Sequence, residues 1–124
     1  MKAIIIKENK TVLAVEVREN GESLYEAVRK TIGGYMENVY PEGLPKDFVM
    51  IVDEEGKLKG KPVNPLASSL YNGTALGDHI IGDVIILKLG TYEGEPDIVG
   101  IPDDEADELM NGLLGTWASC NAEV

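Results

Sequence analysis

The sequence predicts one α+β domain, built on a small mixed or antiparallel sheet of five to six strands with two main helices and one short helix. Three observations predict this class. Short β-branched apolar runs recur between turn residues. Only two longer segments have the spacing of an amphipathic helix. Helices and strands also do not alternate regularly enough for a doubly wound parallel sheet. The 124 residues are enough to bury a core without disulfides.

The strands are expected where short apolar runs lie between turn residues. Residues 2–7 and 11–18 flank a turn at Asn9-Lys10, so they should pair as a hairpin. An apolar run typical of a central strand covers residues 48–52. The remaining predicted strands cover residues 35–40, 57–59 (a short return strand), 80–89 and 98–101 (a short edge strand). Gly82-Asp83 marks either a bulge in the strand at 80–89 or its true start.

Each predicted helix has a start and a stop signal. The first begins at a capping box of Ser23 and Glu26, although Asn20 could cap one turn earlier, and ends at Gly33-Gly34. A short helix begins after Asn64, with proline at its first position. The last begins at Pro102-Asp103, carries acids in its first turn, and is expected to end at Gly115.

Charge divides the chain into two parts. Residues 1–88 hold 13 acids and all 11 bases, whereas residues 89–124 hold 9 acids and no base. We therefore predict a core domain over residues 1–90 and an acidic C-terminal helix and tail over residues 91–124, packed on the core or extending from it. Direct nucleic-acid binding is disfavoured, because it needs Lys and Arg. The acids could meet a basic protein, as a DNA mimic would, or simply form a solvated helix face.

Membrane, disulfide and metal sites are not expected. No apolar run approaches the roughly 18 residues that a membrane helix needs, and the first residues lack a secretory signal, so we expect a cytoplasmic protein. The single cysteine, Cys120, excludes an internal disulfide and any multi-cysteine metal site. The acids at 53–55 lack the spacing of an EF-hand loop. No cofactor is predicted.

The sequence contains no catalytic signature, so we do not expect an enzyme. Glu54 and Glu55 could act as a carboxylate pair, but neighbouring residues on an extended chain point in opposite directions. A solvated turn explains them more simply. His79, the one histidine, could act as a base, but no nucleophile lies in a suitable context. A hydrolase that uses Glu54, Glu55 or His79 is therefore the third alternative, after the two binding functions described below.

The features that favour ligand binding lie between residues 31 and 87. Tyr35 and Tyr71, like two further tyrosines at 40 and 92, could stack on a flat base. Small residues at 33 and 34 would let a ligand approach the backbone. Carboxylate and amide groups could bind ribose or an adenine edge, and Lys57, with the lysines at 59 and 61, could bind phosphate. The predicted ligand-binding residues are Gly33, Gly34, Tyr35, Glu37, Glu54, Lys57, Asn64 and Tyr71. Alternatively, these are core-edge tyrosines and a charged edge strand.

Four pieces of this stretch carry a family resemblance. They are Gly33-Gly34-Tyr35-Met36-Glu37, Val52-Asp53-Glu54-Glu55-Gly56, Asn64 and Ile81-Gly82-Asp83-Val84. In this order and spacing, the chain from residue 2 to about residue 90 resembles a domain-of-unknown-function family of bacteriophages, plasmids and the bacteria that carry them. One departure is Asp53, where the family pattern leads us to expect Asn.

The resemblance implies association with mobile elements but no reaction. We expect a non-catalytic accessory protein of the host cytoplasm, acting in counter-defence by sequestering a small nucleotide-type signalling molecule of the host. A homo-oligomer with its site at a subunit junction would suit this role. The alternative is an acidic inhibitor that covers a basic host protein through residues 93–108. A structural role in the virion also remains open.

Overall fold

The sheet is built around its fifth strand. The computed structural model describes residues 1–56, 58–71 and 79–122, with the backbone alone for residues 116–122. The strands are β1 Lys2–Ile6, β2 Val12–Glu16, β3 Met36–Val39, β4 Phe48–Asp53, β5 Val84–Tyr92 and β6 Glu95–Val99, and the helices are α1 Glu22–Ile32, α2 Pro65–Leu70 and α3 Asp103–Ala122. The predicted α+β class is confirmed.

All strand pairs are antiparallel. The sheet order is β2-β1-β5-β4-β3, and β6 pairs with β5 beyond the end of β1. On one side of β5, Ile86 pairs with Ile4 of β1, and Lys88 pairs with Val99 of β6. On its other side β5 pairs with β4, all six residues of which are buried. Burial on both faces explains why β4 and the first half of β5 are continuous apolar runs.

The helices cover the two faces of the sheet unequally. On one face, α1 packs through Leu24, Val28 and Ile32 onto sheet residues that include Ile51 and Leu87. On the other face, residues of α2 and α3 share a core cluster with alternate residues of β1, β4 and β5. One helix of 11 residues thus covers a face of a six-stranded sheet. Part of that face remains open beside α1.

The predicted capping box of the first helix is wrong. The helix starts at Glu22 with Gly21 as its N-cap, and no side chain caps it. Ser23 Oγ instead accepts a hydrogen bond from the Arg18 amide at 3.4 Å. The predicted stop is confirmed: Gly33 has φ of 68° and its amide donates to the Arg29 carbonyl. Glycine adopts this left-handed conformation without the steric cost of a Cβ.

The predicted end of the last helix is also wrong. Helix α3 continues through Gly112 and Gly115 and spans 20 residues, to Ala122. A glycine in a helix interior costs about 1 kcal/mol relative to alanine. Burial of Ala106 and Leu113 in the core cluster below α2 favours the helix in spite of that cost. Through this packing and the β6 pairing, the described part of the acidic segment joins the core.

Two strand predictions change their bounds. The strand expected at 80–89 begins at Val84, because Gly82 has φ of 80° and Ile81 forms only an isolated bridge with Val63. The loop expected after residue 89 is instead a hairpin. Glu93 and Gly94 both have positive φ, 53° and 82°, as a type I′ turn requires.

The return strand expected at 57–59 is not observed. Residues 58–60 form a turn, and Lys57 lies outside the described residues. The Lys59 amide donates to the Glu55 carbonyl oxygen, and the Lys61 amide donates to the Gly56 carbonyl oxygen. Both hydrogen bonds lie within the loop, so Lys59 and Lys61 use these amides locally and do not pair with a neighbouring strand.

Candidate ligand-binding groove

A groove of about 560 Å³ runs between α1 and the sheet. Its volume lies within the range of about 300–1,000 Å³ that is typical of small-molecule sites. The groove floor is the set of apolar residues Leu24, Val28, Ile51, Leu87 and Ile98. The groove rim is the set of polar or aromatic residues Asn20, Glu22, Tyr25, Asn38 and Asp97. An apolar floor with a few polar groups is the usual composition of a ligand site.

The alternation of β3 determines which of its side chains reach the groove. Met36 and Asn38 line the groove, whereas Glu37 and Val39 line a hollow on the opposite face of the sheet. Successive strand residues point to opposite faces, so this division follows from the backbone. Because β3 is an edge strand of four residues, its side chains form one open side of the groove.

Tyr25 forms part of the helical side of the rim, and Arg29 lies over its ring, outside the residues that line the groove. The Tyr25 side chain is 49% exposed, and the Arg29 guanidinium lies 4.8 Å from its ring centroid. Arg29 also forms an ion pair with Glu26, one turn closer to the helix start. A cation over the face of a tyrosine ring is favourable and limits the motion of both groups. A guanidinium therefore stands next to an exposed aromatic ring at the edge of the groove.

Asp97 and Asn20 form the opposite end of the rim. The Asn20 amide donates to Asp97 Oδ2 at 3.0 Å and to the Ile98 carbonyl oxygen at 3.1 Å. Asp97 Oδ1 accepts from the Ile98 amide at 2.8 Å. Each carboxylate oxygen thus has one internal hydrogen bond, which fixes the orientation of the group.

Three of the predicted ligand-binding residues meet at a smaller hollow on the other face of the sheet. Glu37, Glu54 and Tyr71 line a space of about 180 Å³, together with His79. Its walls are completed by apolar residues of β3, β4 and the segment before β5. This hollow is about a third of the size of the groove beside α1, and three acidic residues line it, Glu37, Asp53 and Glu54.

Of the two glycines predicted to receive a ligand, Gly34 lies over an internal ion pair, whereas nothing lies within 4 Å of a Cβ added to Gly33. Gly33 ends α1, and a Cβ added to Gly34 would collide with the Lys59 ammonium and lie 3.2 Å from Asp53 Oδ1. Asp53 Oδ2 lies 2.9 Å from Lys59 Nζ and 2.8 Å from Lys61 Nζ, with its side chain fully buried. The close approach at Gly34 is therefore occupied by the protein itself.

The Asp53 carboxyl is ionised despite its burial. Burial opposes ionisation, but hydrogen bonds from Lys61, Lys59 and the Glu55 amide outweigh it and lower the pKa of Asp53 to about 2. Asp53 is also where the family resemblance leads us to expect Asn. A carboxylate can accept from both lysines and the amide at once, because it has two oxygens and about four lone-pair sites.

Asn64, predicted to bind a ligand, is 0% exposed. Its amide donates to the Ile6 and Gly82 carbonyl oxygens, both at 2.9 Å, and its Oδ1 accepts from the Ala67 amide at 3.2 Å. This side chain caps α2 and ties it to β1 and to the segment before β5. It has no surface left for a ligand.

The predicted tyrosines do not surround one hollow. Tyr35 and Tyr40 are 69% and 60% exposed, and neither lines the groove or the smaller hollow. Tyr92 also lies outside both, and only Tyr71 lines one. Lys57 lies outside the described residues.

Sequence reasoning missed the residues of the groove rim. Asn20 was predicted only as an alternative cap of the first helix, and Tyr25 carried no signal beyond its place off the apolar stripe of that helix. Asn38 and Asp97 come from strands that are far apart in sequence. Only the sheet order brings β3 and β6 to one groove.

A third hollow lies on the face that α3 covers. It has a volume of about 400 Å³ and lies between α3, α2 and the loop before β4. Phe48, Leu70, Leu109 and Leu113 provide apolar walls, and Glu105 and Glu108 add negative charge. Glu105 is paired with Lys88 of β5 at 2.5 Å.

Metal-binding and membrane-spanning elements are not found among the described residues. Within residues 1–56, 58–71 and 79–115, whose side chains are described, no three His, Cys, Asp or Glu residues are grouped to hold a metal ion. Over the same ranges, no helix combines the length and apolar character needed to cross a membrane.

The fold and the groove define a small α+β protein; in the part of the chain that the structure describes, its antiparallel sheet carries one helix on one face and two on the other. The chain belongs to the family described as a domain of unknown function (DUF3846), whose model matches residues 1–114. No curated protein and no solved structure matches the chain.

Proposed function

We propose that this protein is a non-catalytic binding protein that holds a small nucleotide-type molecule in the groove beside α1. The observation that carries the proposal is the groove itself, a space of about 560 Å³ with an apolar floor and a rim in which Asn20 and Asp97 are held by hydrogen bonds. A concave apolar site with a few oriented polar groups is the default location for a small ligand. The hollow lined by Glu37, Glu54 and Tyr71 is smaller, at about 180 Å³. The space beside Gly34 is filled by the ion pair of Lys59 and Asp53.

A flat base suits the groove floor. Leu87 and Ile51 are buried beneath the groove and Tyr25 is half exposed at its edge, so a ring lying on the floor beside Tyr25 would remove its own apolar area and part of that of Tyr25 from water. Burial of apolar surface contributes roughly 25 cal/mol per Å². Contact with the Tyr25 ring would add about 0.5–1.5 kcal/mol.

The phosphate of such a ligand would point towards Arg29. Glu22 and Asp97 make part of the rim acidic and would repel a phosphate there. Arg29 stands over the Tyr25 ring, and guanidinium groups bind phosphate through paired hydrogen bonds. The charges thus favour a base on the floor and a phosphate at Arg29, where it would compete with Glu26 for the guanidinium.

Sequestration is the role that fits a ligand held without turnover. The family resemblance to proteins of bacteriophages and plasmids favours a counter-defence role, in which a host signalling nucleotide is bound in the host cytoplasm. The free edge of β3 favours a homo-oligomer, because a second copy pairing there would lie beside Met36 and Asn38 of the groove.

Calorimetry with a panel of nucleosides and nucleotides tests the proposal. Two neighbouring residues of β3 provide matched variants: Asn38→Trp fills the groove, whereas Glu37→Trp fills the hollow on the other face. We expect Asn38→Trp to weaken binding at least about tenfold, which corresponds to 1.4 kcal/mol, and Glu37→Trp to leave it unchanged. Flat heats with every ligand on folded protein, or the reverse pattern of variants, would exclude this site.

A second candidate function is an acidic inhibitor of a basic host protein. Asp103, Asp104, Asp107 and Glu108 of α3 are exposed, which favours a surface complementary to Lys and Arg. Deleting α3 is a poor test, because Ala106 and Leu113 belong to the core. Neutralising Asp104, Asp107 and Glu108 to Asn, Asn and Gln keeps the fold. Loss of capture of a basic protein, with ligand binding intact, would favour this function.

A further inference from the structure

We infer that Asp97 selects the ligand of the groove by accepting two adjacent hydrogen-bond donors from it, such as those on the edge of guanine or on a ribose diol. The inference rests on the proposed function and deepens it, because it specifies the chemistry that a bound nucleoside must present at one end of the rim.

The Asp97 carboxylate is oriented before any ligand arrives. Its Oδ1 accepts from the Ile98 amide at 2.8 Å and its Oδ2 accepts from Asn20 at 3.0 Å. Asn20 is itself fixed, because it also donates to the Ile98 carbonyl oxygen at 3.1 Å. A group that is already oriented loses little conformational entropy on binding.

Both oxygens retain accepting capacity. An ionised carboxylate has about four lone-pair sites and no donor, and the internal bonds described above use one site on each oxygen. A ligand edge facing this carboxylate must therefore provide donors, and two adjacent donors would use both oxygens.

Asp97 also lies at the correct place for such an edge. Asp97 and Asn20 line the groove beside Ile98, which is part of its apolar floor. A ring on the floor would thus have one edge near the carboxylate. Guanine has adjacent N–H groups at N1 and N2, whereas adenine has a donor next to an acceptor on the corresponding edge, which a carboxylate would repel. The ribose diol also has two donors and is the other possible source.

Binding of four nucleosides to three proteins separates these sources. The ligands are guanosine, adenosine, xanthosine and 2′-deoxyguanosine, and the proteins are the wild type, Asp97→Asn and Asp47→Asn. Asp47 is an exposed loop residue outside the groove, so its variant controls for the lost charge. Unfolding midpoints check that each variant is folded.

If guanine is the source, the wild type should bind guanosine and 2′-deoxyguanosine equally, and adenosine about tenfold or more weakly, since a good bidentate pair contributes roughly 1–3 kcal/mol of discrimination. Asp97→Asn should bind guanosine about tenfold more weakly and xanthosine more tightly than the wild type. The reason is that an amide offers one acceptor and one donor, which match the N1 donor and the adjacent carbonyl oxygen of xanthine. If the diol is the source, guanosine and adenosine should bind alike and both should weaken in Asp97→Asn, and 2′-deoxyguanosine should bind more weakly than guanosine.

Each remaining outcome overturns the inference. If Asp97→Asn binds all four nucleosides as the wild type does, Asp97 does not select the ligand, although the groove still binds it. If Asp47→Asn weakens binding as much as Asp97→Asn, the weaker binding results from the change in the net charge of the protein and not from a contact with Asp97. If the folded wild type binds none of the nucleosides or their phosphates, the proposed function and this inference both fail.

Discussion

Lys61 Nζ lies 2.8 Å from Asp53 Oδ2 and donates to the Ile32 carbonyl oxygen at 3.0 Å. One ammonium thus joins the end of β4 to the last turn of α1, where a cation also suits the helix dipole. Lys59 makes a second ion pair with the same carboxylate oxygen at 2.9 Å. This cluster fixes the C-terminal end of α1, the helix that forms one wall of the groove.

Replacing Asp53 by Asn should destabilise the protein by about 2 kcal/mol. Breaking a buried ion pair costs about 3–5 kcal/mol, but Lys59 and Lys61 are 36% and 28% exposed and would regain some hydration. The amide oxygen could still accept from the Glu55 amide. Urea unfolding at neutral pH measures the change. Glu42→Gln, in an exposed loop, removes a charge without a described partner and should change stability by less than about 0.5 kcal/mol.

The contribution of Asp53 should disappear in acid. Its folded pKa is about 2, below the unfolded value of about 3.9. A lowered folded pKa gives stability that is fully present above about pH 4 and is lost as pH falls through 2. This difference between the folded and unfolded pKa corresponds to about 2.5 kcal/mol. Urea unfolding of wild type and Asp53→Asn should therefore differ at pH 5 and converge towards pH 2. A difference that stays constant over this range would mean that the carboxylate is not stabilised as described.

A methyl group at position 34 should break only the Lys59 ion pair. Gly34→Ala would place its Cβ against the Lys59 ammonium, which can swing towards solvent because it ends a flexible side chain. We expect a loss of about 1 kcal/mol, within the range for exposed or half-exposed ion pairs. Much of that loss should vanish when Gly34→Ala is made in a Lys59→Ala background.

Gly33→Ala is the matched control for this coupling. Its cost should arise from φ of 68°, since nothing lies near its added Cβ, and so should be about 1 kcal/mol in either background. Additive effects of Gly34→Ala and Lys59→Ala would contradict the proposed contact.

Much of the fold could be predicted because local patterns decided it. The apolar run at 48–52 is a buried strand, and Leu24, Val28 and Ile32 form the buried stripe of α1. Both patterns could be predicted because the apolar character of a residue depends directly on its burial. Helix α3 was predicted too short because packing of Leu113 outweighs the low helix propensity of two glycines. The hairpin at Glu93-Gly94 was missed because its turn lacks the stronger Asn-Gly or Asp-Gly signal.

The site could be predicted far less well, because it depends on sheet order. The prediction grouped residues by position in the chain, and among those that the structure describes, Glu37, Glu54 and Tyr71 share one hollow. Asn38 of β3 and Asp97 of β6 line the same groove, and no periodic pattern in the sequence predicts that they lie close together. Asn64 was correctly predicted as a helix cap, but its two further hydrogen bonds could not be foreseen.

Asn64 provides a test of whether its role is structural. Asn64→Ala should cost about 3 kcal/mol, because it removes two hydrogen bonds to buried carbonyl oxygens, leaves the Ala67 amide without its cap and opens a small cavity. Asn64→Asp keeps the cap but faces the same two carbonyl oxygens. Its carboxyl should therefore be protonated in the folded state, with a raised pKa, so the variant should lose stability as pH rises above the unfolded value of about 3.9.

Urea unfolding of the three proteins at pH 4 and pH 8 measures both effects. We expect the free energies of unfolding of wild type and Asn64→Ala to differ by a similar amount at the two pH values. The free energy of unfolding of Asn64→Asp should lie further below that of the wild type at pH 8 than at pH 4. If both variants unfold like the wild type but lose ligand binding, Asn64 is a ligand contact after all, and its burial must be relieved in the bound state. If Asn64→Asp shows no pH dependence, the carbonyl oxygens of Ile6 and Gly82 are not held against its side chain.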